Sequence, residues 1–85
     1  MYKIVLSKAA AKGLRNADAR LRMAIVDKIE KLAANPADVA LDIKALQGVE
    51  GYRLRVRSWR VLFTRDDSAH IVDIVRIAPR QSAYD

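Results

Sequence analysis

The chain has 85 residues, a formal net charge of +6 at pH 7 and no cysteine. Its length predicts one small domain over residues 1–85, and the lack of cysteine excludes disulfides, thiolate metal sites and cysteine nucleophiles. No apolar run approaches the roughly 20 residues that cross a bilayer, and the start of the chain does not resemble a signal peptide. We therefore expect a soluble, cytoplasmic protein with no membrane partner. The positive charge favours an acidic partner, either nucleic acid or an acidic protein segment; the alternative is a basic surface that only confers solubility.

The first part of the chain predicts a strand followed by two helices. Residues 2–6 include adjacent β-branched side chains, which favour a strand. Ser7 is suited to cap a short helix over residues 8–15, and Asp18 is suited to cap a second helix over residues 19–34. The second helix has apolar residues at helical spacing, which gives it one face to bury. These residues are Leu21, Ile25, Ile29 and Leu32.

The rest of the chain predicts three antiparallel strands. Residues 37–51 are irregular in pattern, and their apolar side chains are expected to tuck under a sheet edge. Residues 52–57 and 59–65 form the first two strands, and residues 69–77 are so continuously apolar that they predict a central strand covered on both faces. The expected fold class is α+β: an N-terminal strand, a two-helix hairpin and a three-stranded antiparallel meander, forming one sheet with helices on one face.

The most distinctive stretch is the strand that begins at Tyr52. Apolar residues alternate there with arginines, so one face is apolar and the other carries guanidinium groups. Arg60 enters the same neighbourhood from the next strand. Repulsion between like charges on a rigid sheet favours an anionic partner, most simply a phosphate backbone; the alternative is a solvated strand face. The four arginines are Arg53, Arg55, Arg57 and Arg60.

The sequence offers no residue set for nucleophilic catalysis and no metal or cofactor site. His70 is the only histidine and is expected at the surface, and the carboxylates are scattered. What remains is the arginine group together with Arg80 and Tyr84, which would converge with it at one end of the open sheet face. Guanidinium groups stabilise the charge that develops on a phosphoryl group, and RNA supplies its own 2′-hydroxyl as nucleophile. Trp59 is interpreted either as a packing residue or as a platform on which a base stacks.

Several boxes in this sequence together resemble the RelE/ParE superfamily of toxins from type II toxin–antitoxin modules. They are residues 2–7 (YKIVLS), 35–36 (NP), 44–48 (KALQG), 52–56 (YRLRV), 59–63 (WRVLF) and 77–80 (IAPR), followed by Tyr84. The resemblance covers essentially the whole chain and implies a small sheet with a helical hairpin on one side. The sequence looks most like the RelE branch, whose members are ribosome-dependent mRNA endonucleases that cut in the ribosomal A site and leave a 2′,3′-cyclic phosphate.

This resemblance implies a role for each of five catalytic residues. Arg53 and Arg55 match the two basic strand positions, and Arg60 matches the arginine that contacts the scissile phosphate. Arg80 matches the arginine that protonates or stabilises the leaving 5′-oxygen. Tyr84 matches the tyrosine that stacks on or orients the substrate base.

Two further residues are candidates for RNA contact, Arg57 and Trp59. The implied partners are the ribosome, mRNA and a cognate antitoxin in a heteromeric complex, with an acidic or amphipathic antitoxin segment covering the helical hairpin and the basic face. Two alternatives stay open. A toxin of the ParE branch shares the fold and poisons DNA gyrase, and an inactive toxin would only bind its antitoxin.

Overall fold

The computed structural model describes residues 1–80. One strand is followed by two helices and then by four strands, as expected for an α+β protein, and the strands form one sheet in the order β1-β5-β4-β3-β2. β1 pairs with β5 in parallel, and the other neighbouring strands are antiparallel. The elements are β1 (Lys3–Leu6), α1 (Lys8–Asn16), α2 (Ala19–Ala34), β2 (Ile43–Ala45), β3 (Tyr52–Val56), β4 (Trp59–Asp66) and β5 (Ile71–Pro79). The predicted fold class is confirmed.

Both helices begin at the caps that the sequence predicts. The Ser7 hydroxyl accepts a hydrogen bond from the Ala10 N–H at 3.0 Å, and the Asp18 carboxylate accepts one from the Leu21 N–H at 2.9 Å. Each bond satisfies one of the donors that a helix N-terminus leaves without an intrahelical partner. The Arg22 guanidinium then ties the hairpin together by donating to carbonyls at the end of α1. These carbonyls belong to Leu14, Arg15 and Ala17.

The helices cover one face of the sheet and enclose the core. Ile25 and Leu32 of α2 are fully buried, as are Leu54 of β3 and Val61 of β4. α1 approaches β5 so closely that a Cβ atom built on Gly13 would lie 1.8 Å from the Ile77 carbonyl oxygen. Only glycine permits that contact, so this residue sets the separation between the helix layer and the sheet.

The sheet has one strand more than predicted. Ile43–Ala45, expected to be irregular chain under the sheet edge, forms β2 and pairs with β3. Three residues are too few for a recognisable alternation of side chains, which explains why the pattern did not reveal the strand. Ile43 nevertheless packs against the core, and the preceding Leu41 is buried in it.

The last strand also differs from its prediction. β5 is internal, because it lies between β1 and β4, but it begins at Ile71 and only one face of its first half is covered. Asp73 and Val75 are exposed on the other face. The apolar sequence therefore does not reflect burial on both sides in the first half of the strand, whereas Ile77 and Ala78 in its second half are both buried. His70 is exposed and lies in the turn before the strand, with a φ of 56°.

Within residues 1–80 no helix is long and apolar enough to cross a membrane. That residues 1–85 form a single domain stays a prediction, since residues 81–85 lie outside the described part of the chain.

Candidate functional site

The face of the sheet opposite the helices carries a group of basic side chains from three neighbouring strands. Lys44 is paired with Arg53 across β2 and β3, and Arg55 is paired with Arg60 across β3 and β4. Paired residues point to the same face of a sheet. We call these four residues, Lys44, Arg53, Arg55 and Arg60, the basic face.

Arg53 has a counter-ion within the chain. Its guanidinium lies 3.3 Å from the Asp42 carboxylate, and only 13% of its side chain is exposed. The sequence suggested that the arginine row needs an external anion, and for this member Asp42 supplies the negative charge. The pair holds Arg53 in place at the edge of the basic face, since Asp42 directly precedes β2.

Arg55 is exposed, and its contact is with the backbone. Its Nε donates a hydrogen bond of 3.3 Å to the carbonyl of Arg57. This contact bends the guanidinium toward the turn between β3 and β4, which is the end of the sheet where Arg60 also lies. Two guanidinium groups on directly opposite residues repel each other, so an anion between them would be bound favourably.

Arg60 is the one buried charged residue in the described part of the chain, with 5% of its surface exposed. Its Nη1 donates a 3.3 Å hydrogen bond to the Trp59 carbonyl, while its buried Nε has no hydrogen-bond partner. None of the ion pairs among residues 1–80 includes it. A buried donor without a partner costs about 1–3 kcal/mol, and more when the group is charged. The structure therefore holds the Nε of Arg60 buried and without a hydrogen-bond partner at a cost to stability.

Arg80 lies at the same end of the sheet. Its backbone N–H donates a 2.9 Å hydrogen bond to the Ser58 carbonyl in the turn between β3 and β4, and the residue is exposed. Of the residues predicted to converge, Arg55, Arg60 and the backbone of Arg80 thus lie at the same end of the sheet. Tyr84, the fifth predicted catalytic residue, lies outside the described residues.

Arg57 and Trp59 are not brought together with this group. Arg57 is not part of β3 but sits in the turn with a φ of 56°, so the alternation of the strand ends at Val56. Trp59 is half-buried and packs against the core. It precedes Arg60 on β4, and successive residues of a strand point to opposite faces. Its indole therefore lies on the covered side of the sheet.

A second polar cluster, at the opposite end of the sheet, was not predicted. The Asp67 carboxylate accepts a 2.7 Å hydrogen bond from the Tyr2 hydroxyl and a 2.8 Å bond from Arg65 Nε. The guanidinium of Arg65, followed by the Tyr2 hydroxyl, lowers the pKa of Asp67, and the bond to Asp67 raises the pKa of Tyr2. The Tyr2 and His70 rings lie 5.0 Å apart. Tyr2 and Asp67 are 65 positions apart in sequence, so no local pattern could have revealed the cluster.

Among residues 1–80, no three histidine, aspartate or glutamate side chains come close enough together to hold a metal ion. The chemistry available in the described part of the chain is thus that of fixed guanidinium groups on an open sheet face.

A five-stranded sheet with a helical hairpin on one face is also the fold of toxins from type II toxin–antitoxin systems. The chain is similar to the toxin in the archaeal RelE–RelB complex from Pyrococcus horikoshii OT3, with 21% identity, a TM-score of 0.81 and coverage of 96% of this chain and 98% of that one. The intact RelBE complex of E. coli is similar with 20% identity and a TM-score of 0.78, and the match covers 93% of this chain and 96% of that one. The RelB–RelE complex of Methanococcus jannaschii is similar with 26% identity and a TM-score of 0.78, and the match covers 95% of each chain.

The family is shown by sequence. The model of the family described as the ParE toxin of the type II toxin–antitoxin system, parDE, matches residues 4–84. The chain therefore belongs to this family of toxins, and the predicted membership of the RelE/ParE superfamily is confirmed. The search of curated proteins finds no match to the chain.

Proposed function

We propose that this toxin is an endoribonuclease that cleaves mRNA in the A site of the ribosome. The observation that carries the proposal is Arg60, a buried guanidinium on the basic face whose Nε has no partner. A group that binds charge appearing only in the transition state accelerates a reaction more than one that binds the substrate equally well. A pre-positioned cation without an internal counter-ion meets that requirement for phosphoryl chemistry.

The proposed reaction needs no nucleophile from the protein. The 2′-hydroxyl of the substrate ribose gives its proton to a water molecule while its oxygen attacks the adjacent phosphorus. The bond from phosphorus to the 5′-oxygen breaks and that oxygen takes up a proton, so that a 2′,3′-cyclic phosphate and a free 5′-hydroxyl are formed. Arg60 stabilises the negative charge on the phosphoryl oxygens. Arg80, at the same end of the sheet, stabilises or protonates the departing 5′-oxygen.

The other predicted residues take supporting roles. Arg55, exposed beside Arg60, binds the phosphate backbone. Arg53, fixed by Asp42, contributes to the electrostatic field of the basic face. Tyr84 orients the substrate base. Arg57 and Trp59 contact RNA outside the basic face.

The partners follow from this function. We propose that the toxin acts in the cytoplasm, where it meets the ribosome and mRNA, and that a cognate antitoxin with an acidic or amphipathic segment holds it in a heteromeric complex. The solved neighbours described above are toxins in complex with antitoxins, which supports this partner. An arginine-rich face attracts an acidic segment at long range, and salt weakens that attraction.

Gyrase inhibition is the second candidate, and the observation that favours it is the match to the ParE toxin family. In that case the basic face would contact gyrase or its DNA, and Arg60 would bind without catalysing a reaction. The third reading, an inactive toxin that only binds its antitoxin, would leave Arg60 without any substrate to act on.

The deciding experiment maps mRNA 5′ ends by primer extension after in vitro translation with the purified toxin, with and without ribosomes. A gyrase supercoiling assay runs in parallel. Arg60→Ala is compared with Arg20→Ala, which removes the same charge from an exposed position on α2. Removing one pre-organised donor from a charge-stabilising site lowers rates by about 10²–10³-fold, so Arg60→Ala should lose cleavage to that extent and Arg20→Ala should keep it.

Cuts that depend on ribosomes and on Arg60 are the expected result. Intact mRNA together with inhibited supercoiling would move the protein to gyrase inhibition, and no effect in either assay would favour the inactive reading. Equal cleavage by Arg60→Ala and wild type would contradict the role assigned to Arg60.

A further inference from the structure

A cleft of about 480 Å³ lies between α1 and the C-terminal half of β5, beside the basic face but separate from it. The side chains that give it its chemistry are Lys12 and Asn16 of α1, Trp59 of β4 and Pro79 of β5. Its volume lies within the range of about 300–1,000 Å³ that is usual for pockets that bind small molecules.

The cleft exists because the sheet is stepped at this edge. β1 ends at Leu6, opposite Ile74, so the rest of β5 has no strand on its outer side. α1 crosses there instead, and Gly13 lets the helix approach the Ile77 carbonyl. The space left between the helix side chains and the indole of Trp59 is a product of the backbone topology, so it is not a chance gap between flexible side chains.

The lining selects a flat, anionic ligand. Trp59 and Pro79 supply apolar surface, Lys12 supplies positive charge, and Asn16 supplies an amide that both donates and accepts hydrogen bonds. Within residues 1–80, no carboxylate lines the cleft. Aromatic rings bind bases by stacking regardless of sequence, and cations bind the phosphates that link them.

The cleft lies near the Arg60 site, at the same end of the sheet but on its other face. Trp59 and Arg60 are neighbours on β4, and Ala78, which lines the cleft, is the residue paired with Arg60 across β4 and β5. We propose that the cleft binds one nucleotide of the RNA strand whose scissile phosphate lies at Arg60, with the base against Trp59 and its phosphate near Lys12. This inference rests on the proposed function. It assigns a nucleotide-binding subsite on the covered side of the sheet, reached by a strand that passes round the end of the sheet.

Trp59 itself reports on the cleft, because it is the chain's only tryptophan. The probe is a hexauridylate with 2′-O-methyl groups, which cannot be cleaved through its 2′-oxygens. We expect saturable quenching of tryptophan fluorescence with a dissociation constant of about 0.1 mM or tighter at low salt, the range of non-specific nucleic-acid binding.

Lys12→Gln should weaken that binding about fivefold at 0.1 M salt and make the slope of log K against log salt shallower by about 0.7, the contribution of one phosphate contact on a single strand. The control is Lys8→Gln, which removes the same charge from the same helix outside the cleft, and its affinity and slope should match those of the wild type. Equal behaviour of the two variants would overturn the phosphate contact.

Two further probes test the class of ligand. An abasic oligomer of the same length should bind more weakly and should not quench Trp59, and a hexaglutamate peptide should leave the fluorescence unchanged. Quenching by the peptide would instead assign the cleft to an acidic protein segment. Equal quenching by the abasic oligomer would overturn the claim that a base binds against Trp59.

The wild-type protein is also assayed for ribosome-dependent cleavage. Cleavage without quenching by the hexauridylate would overturn the subsite and leave the proposed function intact. Quenching without cleavage would contradict the proposed function and retain a nucleotide-binding cleft.

Discussion

The two faces of the sheet differ in the interactions that their side chains make, although residues of the two faces alternate along the same strands. On the covered face, Leu54 and Val61 are paired with each other and fully buried. At the adjacent position, which is one residue later on β3 and one residue earlier on β4, Arg55 and Arg60 are also paired, but here two positive charges meet. The covered face is made of interactions that satisfy one another. The open face places together groups that repel each other and leaves the Arg60 Nε without a partner.

This difference shows where the protein gives up stability. Burial of apolar surface contributes roughly 25 cal/mol per Å², and the covered face obtains it without strain. A buried, unpaired guanidinium is costly, and it persists only where the rest of the fold is stable enough to hold it. We therefore interpret the open face as the working surface and the covered face as its support.

The largest expected effect is a difference in stability between variants at two neighbouring residues of β3, one on each face of the sheet. Leu54→Ala should lower the free energy of unfolding by about 2–5 kcal/mol, because it leaves a cavity in the core. Arg55→Ala should change it by about 0.5 kcal/mol or less, as is usual for exposed side chains. Urea unfolding of both variants measures the two values. Similar losses of unfolding free energy at the two positions would mean that side chains on the open face also stabilise the fold.

A smaller effect concerns the distance between the helix layer and the sheet. Gly13→Ala should cost about 3 kcal/mol, since the added methyl group meets the Ile77 carbonyl and neither backbone segment can move away cheaply. Gly48→Ala is the comparison: this residue has a φ of +77° and open space around it, so only the roughly 1–2 kcal/mol of left-handed backbone strain applies. Thermal unfolding ranks the two variants, and an equal cost would show that α1 can shift.

The smallest expected effect lies at the far end of the sheet. Because the pKa of Asp67 is lowered in the folded state, ionised Asp67 stabilises the fold above the usual carboxylate pKa of about 3.9. That stabilisation is lost as the pH falls through the lowered pKa. Asp67→Asn should therefore be slightly less stable than wild type at neutral pH and equal to it in strong acid.

The stability contributed by Tyr2 has the opposite dependence on pH. Its pKa is raised by the bond to Asp67, so its contribution is present below pH of about 10 and is lost as the pH rises through the raised pKa. Melting curves of wild type and Asp67→Asn across the pH range test both statements. A stability difference that is the same at every pH would contradict the ionic character of the cluster.

Much of this fold could be predicted from local pattern. The caps at Ser7 and Asp18 and the apolar spacing of α2 are periodic or short-range signals, and the structure has them where the sequence places them. The alternation beginning at Tyr52 correctly separates the two faces of β3. These features depend on residues within one or two turns of helix or a few strand positions.

What could not be predicted depends on contacts between distant residues. The counter-ion of Arg53 comes from Asp42, eleven positions earlier, across a strand too short to recognise. The cleft beside Trp59 depends on how α1 and β5 are placed in space, and the burial of Arg60 has no local sequence signal. Alternation predicted the face on which each arginine lies, but it does not tell a paired guanidinium from an unpaired one.

The most direct test of the account combines stability and cleavage in one variant, Arg60→Leu. We predict a free energy of unfolding equal to the wild-type value or up to about 2 kcal/mol higher, because an apolar side chain of fitting size removes the buried, unpaired charge. Ribosome-dependent cleavage of mRNA, measured on the same preparation, should fall at least about 100-fold. A variant that is markedly less stable, or one that cleaves at the wild-type rate, would contradict the claim that Arg60 is kept at a cost to stability in order to act on phosphate.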